Sequence, residues 1–411
     1  PVRRLALLAS FTAEPLTPHL AARRFLEGER LEVGYWPYGQ WYAALTQGSD
    51  LDAFDPDWIL LLLHLEDVAA LLAHRHLAER ERLEEERTTF ITGLAEALRE
   101  FRARSSKPII LSTFIAARRG IERFFDRTAE PCRTAWIEQL NDDLASLAAE
   151  HSNVYVFDYA GLVTDIGRHN WYDLVKTHVN NASIAVRALP SLAEELSRFL
   201  SALDRGRRKV VAVDLDNSLW GGILGEDGVE GIAVSGEYPG NAYEEFQSFL
   251  SNLRASGTLL ALISKNNLQD AREAFERHSL MPLKWSDFAS HRVNWDDKAA
   301  NLQAAAAEIN VGVDSFVFAD DNPMECDLVQ TYLPEVVTVE LDGPPGLFPD
   351  KLLATGELDS PRLTGEDLIR AGSYGSENKR QVLRHESSDI SGFLASLDLQ
   401  LALGSPDTGN I

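Results

Sequence analysis

The 411 residues, 45% of them apolar and 25% charged, carry enough hydrophobic side chains for two or three packed domains, which excludes disorder as the main state. With 63 acidic against 39 basic side chains the net charge is −24, so a sequence-independent grip on phosphate backbones would lack its counter-charge and nucleic acid is not expected as a partner. The longest apolar run, Trp58 to Leu63, is far too short to span a bilayer, and the amino terminus carries no signal-peptide pattern. A cytoplasmic protein with no membrane partner is expected. Cys132 and Cys326 make neither a disulfide framework nor a multi-cysteine metal site, so any metal should sit on oxygen ligands.

Along the chain, β-rich apolar runs alternate with amphipathic stretches, the pattern of parallel sheets covered by helices. Strands are predicted at Arg4 to Ser10, Leu31 to Trp36, Trp58 to His64, Pro108 to Phe114 and Val154 to Asp158. The intervening helices fall at Thr17 to Glu27, Leu83 to Arg104 and Arg133 to Glu150, and a helix from Ala182 to Leu203 closes the set. The mixed-sign run His74 to Arg87 reads as a solvated helix face, because opposite charges at i,i+4 support a helix without a partner. After the linker Asp204 to Lys209 a second series of strands is predicted: Lys209 to Asp214, Thr258 to Ser264, a short run near Leu283, Phe316 to Asp320 and Val336 to Leu341. Helices at Ala242 to Ala255, Leu268 to His278, Lys298 to Ile309 and Pro323 to Tyr332 separate them. The boundaries expected are 1–205 for a first α/β domain, 206–345 for a second, and 346–411 for a helical extension packed on the second.

Chemistry concentrates in the second series. The strand Val210 to Val213 runs into Asp214-Leu-Asp216, two carboxylates at the carboxyl edge of a parallel sheet, where open α/β folds bind ligands. Acids so close repel when both are ionised, so a divalent cation or a shared proton is expected between them; taken alone, the pair is as well explained by a helix cap. Further polar groups follow at strand ends: Ser264-Lys265-Asn266, Lys298 at the start of a helix, and Asp320-Asp321-Asn322-Pro323. In this order they supply what phosphoryl transfer through an aspartate needs: a nucleophilic carboxylate, a second acid for protons, a hydroxyl and an ammonium for phosphate oxygens, and acid charge for Mg²⁺.

These motifs resemble those of the haloacid dehalogenase (HAD) superfamily. More closely, Asp-Leu-Asp-Asn-Ser-Leu-Trp-Gly-Gly, Ser-Lys-Asn-Asn, Val-Asn-Trp-Asp-Asp-Lys and Phe-Ala-Asp-Asp-Asn-Pro-Met-Glu are similar to the FkbH-like family, and Leu8-Ala-Ser-Phe-Thr-Ala-Glu-Pro-Leu16 fits its amino-terminal region. The resemblance implies two doubly wound domains, SGNH-hydrolase-like and then HAD-like. It also implies a Mg²⁺ enzyme that takes a phosphorylated small molecule such as 1,3-bisphosphoglycerate, loads a glyceryl unit onto an acyl carrier protein in polyketide or related biosynthesis, and removes phosphate. The alternative is a stand-alone phosphatase.

Carried over by position, Asp214 is the nucleophile and a metal ligand. Asp216 is the acid and base and gives the metal its backbone carbonyl. Ser264 and Lys298 hold phosphoryl oxygens, with Lys265 and Asn266 either assisting or shaping the loop. Asp321 is the preferred further ligand and Asp320, in the same metal-binding pair, the partner of Lys298. Glycines around Trp220-Gly221-Gly222 and Gly225 to Gly228 imply a turn and hairpin, and no interval is long enough for a large lid. Where glyceryl-loading relatives carry Cys before Ser-Lys-Asn, this chain has Ile263. Cys326 is the other candidate thiol, against a plain reading as a buried helix cysteine. In the first domain, Ser10 follows the first strand, but Asp173 and His178 stand at the wrong spacing for an esterase triad, which favours a docking or substrate-positioning scaffold.

Overall fold

The computed structural model describes residues 2–369. The chain divides into two compact units, the first ending at Arg205 and the second beginning at Gly206.

In the first unit, strands β1 (Val2–Ala9), β2 (Arg30–Tyr35), β3 (Trp58–Leu62), β4 (Ile109–Ser112) and β5 (Val154–Phe157) form one parallel sheet in the order β2-β1-β3-β4-β5. Side chains alternate across a strand, so β1 feeds two cores: Leu5 and Leu7 face one side, Ala6 and Leu8 the other. Helices α1 (Leu16–Leu26), α2 (Leu83–Arg102), α3 (Arg133–Ala149) and α4 (Leu189–Arg205) supply the covering layers. Leu94, Leu98 and Leu140 pack on the Ala6 face; Leu20, Leu192 and Leu196 pack on the Leu5 face. A strand covered on both faces needs no polar alternation, which is why all of Trp58–Leu62 is apolar and buried.

In the second unit β6 (Val210–Val213), β7 (Leu259–Ser264), β8 (Phe288–Val293), β9 (Phe316–Asp320) and β10 (Val337–Glu340) make a second parallel sheet, ordered β10-β9-β6-β7-β8. Val211 and Val213 face one core, Val210 and Ala212 the other. The helices are α5 (Gly240–Ala255), α6 (Leu268–Arg277), α7 (Lys298–Ile309), α8 (Pro323–Tyr332) and the short α9 (Phe348–Ala354). Strand order reverses between β6 and β9, so the crevice at their carboxyl ends is the expected ligand position.

Three local expectations need correction. The run near Leu283 is a buried loop whose Leu283 N–H donates to Gln247 Oε1 at 3.3 Å; the strand is Phe288–Val293. That strand lies at the sheet edge with partial burial, so half-buried His291 and Arg292, together with Ser290, whose hydroxyl donates to Glu308, break its apolar run. The closing helix starts at Leu189 rather than Ala182, with Pro190 in its first turn, where a missing N–H costs nothing. The glycine-rich segment after β6 forms one antiparallel bridge, Gly221 to Ala233, and a single helical turn at Leu224–Asp227 in place of a hairpin.

Beyond Gly343, α9 lays Phe348 against Phe246 of α5, ring centroids 5.5 Å apart. Residues 370–411, most of the expected extension, lie outside the described residues. Among the described residues no helix is long and apolar enough to cross a membrane.

Candidate active site

Register alone brings the acids together. Val213 of β6 pairs with Ala319 of β9, so Asp214 emerges level with Asp320 at the switch point, and its N–H donates to Ala319 O at 3.1 Å. Lys298 enters from the first turn of α7, whose start is fixed by Asp297 accepting the N–H groups of Ala299 and Ala300. Its Nζ lies 2.5 Å from Asp320 Oδ2 and 3.2 Å from Asp214 Oδ2. Burial works against the Lys298 charge, but Asp214 and Asp320 outweigh it and hold the ammonium above its ordinary value. Burial first, and then the charge of Asp214, push Asp320 up to about 7.

The remaining oxygens of the acids are not equivalent. Asp320 Oδ1 accepts the Asn322 N–H at 2.9 Å, whereas Asp214 Oδ1 is buried with no hydrogen-bond partner. Asp214, Asp320 and Asp321 each present a carboxylate oxygen within 4.8 Å of the others. An orphaned carboxylate oxygen inside a cluster of hard oxygen donors, with one ammonium against three acids, fits a divalent cation such as Mg²⁺. Asp321 rises above its ordinary value through burial and then the charge of Asp214, an elevation that a cation would reverse. Its backbone N–H donates to Ser218 Oγ at 3.2 Å, tying the β9 loop to the loop after β6.

The Asp216 carboxylate, close enough to feel the charges of Asp214 and Lys298, is held by donors from outside this cluster. Oδ1 accepts Trp220 Nε1–H at 2.9 Å and the Leu224 N–H at 3.1 Å, and Oδ2 accepts Asn266 Nδ2–H at 3.0 Å. Burial is the largest influence on it and raises its carboxyl above the ordinary range despite these donors. An acid held in one orientation and biased toward the protonated form is equipped to give a proton.

Ser264, the last residue of β7, is 2% exposed and takes the Asn294 N–H on its carbonyl at 3.1 Å. Lys265 is engaged elsewhere, its Nζ 2.6 Å from Glu325 Oε1 of α8. Ile263 is fully buried in the apolar layer beneath α7 with Ala299 and Leu302. Cys326 lies inside α8 with Sγ 3.8 Å from the carbonyls of Asp320 and Val339; burial, followed by the charge of Asp320, pushes its thiol up to about 12. Sequence reasoning passed over Ser218, Trp220, Asn322 and Glu325 as site residues, although the first two stand within the Asp-x-Asp-Asn-Ser-Leu-Trp stretch.

In the first unit, Ser10 Oγ accepts the His64 N–H at 2.9 Å. Asp173 caps a short helix by accepting the Lys176 N–H, and His178 Nε2 lies 3.4 Å from Arg118 Nη2. Those contacts do not join Ser10, Asp173 and His178 into a triad.

An acid pair after the first strand, a hydroxyl closing the second, a lysine opening a helix and an acid pair at the end of the strand beside the first stand at the carboxyl edge of one sheet, the arrangement that the resemblance to the haloacid dehalogenase class implies. A crystal structure of the N-terminal part of protein BF1531 from Bacteroides fragilis, containing a phosphatase domain and complexed with Mg, is similar to this chain at 26% identity. Its TM-score is 0.75, with 88% of this chain and 95% of that chain covered. A crystal structure of an uncharacterized protein from Corynebacterium glutamicum aligns at 16% identity over 39% of this chain and 98% of that one, with a TM-score of 0.26, a likeness too slight to bear on the fold. No curated protein matches. Residues 4–200 match the family model described as FkbH, N-terminal domain.

Proposed function

We propose that the second unit is a Mg²⁺-dependent phosphatase working through a phosphorylated Asp214. The observation that carries the reading is the cluster of buried Asp214, Lys298 and Asp320 with half-buried Asp321 at the switch point, with Asp214 Oδ1 unpartnered. The similar Bacteroides fragilis structure, a phosphatase domain complexed with Mg, supports it.

An Asp214 carboxylate oxygen attacks phosphorus while the substrate's bridging oxygen leaves with the proton of Asp216. A water then gives its proton to Asp216 and attacks the aspartyl phosphate, releasing phosphate and restoring Asp214. The Ser264 hydroxyl and the Lys298 ammonium bind the phosphoryl oxygens, and Lys298 offsets the negative charge that gathers on them. Asp214, Asp321 and the Asp216 carbonyl would hold Mg²⁺, with Asp320 supporting Lys298; the bound cation supplies positive charge next to the reacting phosphoryl group.

The finer reading is that the substrate derives from phosphoglycerate and that a glyceryl unit passes to the phosphopantetheine thiol of an acyl carrier protein. The FkbH-type first unit supports it. Acyl phosphates are already activated, and neither Ile263 nor the buried Cys326 offers a thiolate, so the carrier's own thiol gives up its proton and attacks the acyl carbon directly, the C–O bond to the acyl phosphate breaks as inorganic phosphate leaves, and the remaining phosphate ester is hydrolysed through Asp214. Intact-mass measurement of a holo carrier protein incubated with the enzyme, Mg²⁺ and 1,3-bisphosphoglycerate tests this: a glyceryl adduct on the carrier is expected. An unmodified carrier alongside turnover of an aryl phosphate leaves the stand-alone phosphatase.

A further inference from the structure

The first unit holds two adjoining cavities of about 730 and 440 Å³, which share Arg118, Arg119, Gly120, Glu122 and Arg133. They are lined by the segments that follow β3 and β4, at the carboxyl edge of the sheet. Their size suits a small organic molecule.

The charges around them do not balance. Each nearby acid is engaged: Glu122 pairs with Arg133 at 3.0 Å, Glu138 with Arg127 at 2.9 Å, and Asp126 accepts the N–H groups of Arg133 and Thr134 that open α3. Glu66 accepts the Ala117 N–H at 3.1 Å, and Asp67 is hydrogen-bonded to Ser10. The arginines are left over. Arg119 has no hydrogen bond or ion pair among the described residues, and Arg168 donates only to the carbonyl of Ala116, at 3.0 Å. Arg118 faces the ring of His178, itself no counter-charge. Burial, and then the like charges of Arg119 and Arg133, hold Arg168 below its ordinary value. Arg118 and Arg119 are exposed and Arg168 half-buried, so three guanidinium groups without an acid partner stand at the cavities with donors free for an anion.

Two more groups point inward. His64 and His76 line the larger cavity, each more than nine-tenths buried at 6% and 5% exposed, and each has an Nε2 without a hydrogen-bond partner. We propose that this cavity pair is a binding site for the phosphate group of an organic phosphate, held by the guanidinium groups of Arg118, Arg119 and Arg168, with the organic part against the two imidazoles. Guanidinium forks match phosphate oxygens bidentately, and several around one cavity suit a multiply charged anion better than a single carboxylate.

Calorimetric titration of the full chain with inorganic phosphate tests the site. Comparison is with the double variant Arg118→Ser/Arg119→Ser, whose side chains hold no backbone in place and whose unfolding midpoint should match wild type. Wild type should show saturable binding that the double variant weakens at least about tenfold. Identical isotherms in the two proteins, including the case in which neither binds, overturn the proposal. The inference is independent of the chemistry proposed for the second unit: a wild-type chain without phosphatase turnover that binds phosphate through these arginines fails only the latter.

Discussion

Lys298 Nζ lies 3.2 Å from Asp214 Oδ2, and both side chains are almost wholly removed from water. Among the described residues the ammonium is the one basic group to contact both Asp214 and Asp320, so it decides whether their charges are tolerable. Lys298→Met should abolish turnover and destabilise the protein by about 3–5 kcal/mol, the usual cost of leaving buried charge unpaired. Urea unfolding measures the loss, and millimolar Mg²⁺ should restore part of it. A variant as stable as wild type contradicts the electrostatic role.

Chelation of divalent ions should remove phosphatase activity, and Mg²⁺ should restore it. Asp321→Asn keeps the shape of the side chain but removes one unit of negative ligand charge, so half-maximal activation should need at least about ten times more Mg²⁺. Activity in excess chelator, or an unchanged Mg²⁺ requirement in the variant, argues against the assignment.

Asn266 acts through Asp216, whose Oδ2 it holds at 3.0 Å. It is a positioning residue, so Asn266→Ala should lower kcat about 10- to 100-fold with little change in KM. The alkaline limb of the pH profile, where Asp216 loses the proton it gives, should also move upward, because Asn266 donates to the carboxylate form; a merely structural role would not produce that. Equal changes in kcat and KM with an unmoved profile speak against it.

Cys326 should be inert in the folded chain. Its thiol is buried and pushed up to about 12, so an aromatic disulfide reagent should modify it only as the protein unfolds. Cys326→Ala should leave turnover and any carrier loading intact, at a cost of about 1 kcal/mol in stability. A glyceryl adduct trapped on Cys326 would reverse this reading.

His64 makes the first unit acid-sensitive. Burial lowers its pKa to about 3, against ~6.5 in an unfolded chain, so below neutrality the unfolded state takes up a proton that the folded state refuses. The stability it contributes is complete above ~6.5 and is lost as pH falls toward 3, with a slope of up to about 1.4 kcal/mol per pH unit. His64→Phe, stacked on Phe11 as the imidazole is at 3.8 Å, should flatten the decline between about pH 6 and 4 in urea unfolding. An equally steep decline in the variant assigns the acid sensitivity elsewhere.

Strands buried on both faces write continuous apolar runs, so β3, β6, β7 and β9 and the polar residues at their carboxyl ends are legible in sequence. Edge strand β8 is not, because His291 and Arg292 meet solvent and the buried Ser290 also interrupts its apolar run. The clamp on Asp216 is equally hidden: Asn266 is 50 residues away, and only the pairing of β6 with β7 brings it close. The engagement of Lys265 by Glu325 depends on the loop after β7 meeting the first turn of α8, which follows β9, and no spacing reveals that. In the first unit, the arginines between Arg118 and Arg168 read as ordinary surface charge until loop closure gathers them around a cavity.

The most direct test of the central claim is turnover of an aryl phosphate with Mg²⁺ by Asp214→Asn. The amide occupies the same space as the carboxylate but cannot form an aspartyl phosphate, so activity should fall to background while the fold is retained by circular dichroism. A folded Asp214→Asn protein with activity within a few-fold of wild type would contradict phosphoryl transfer through this residue.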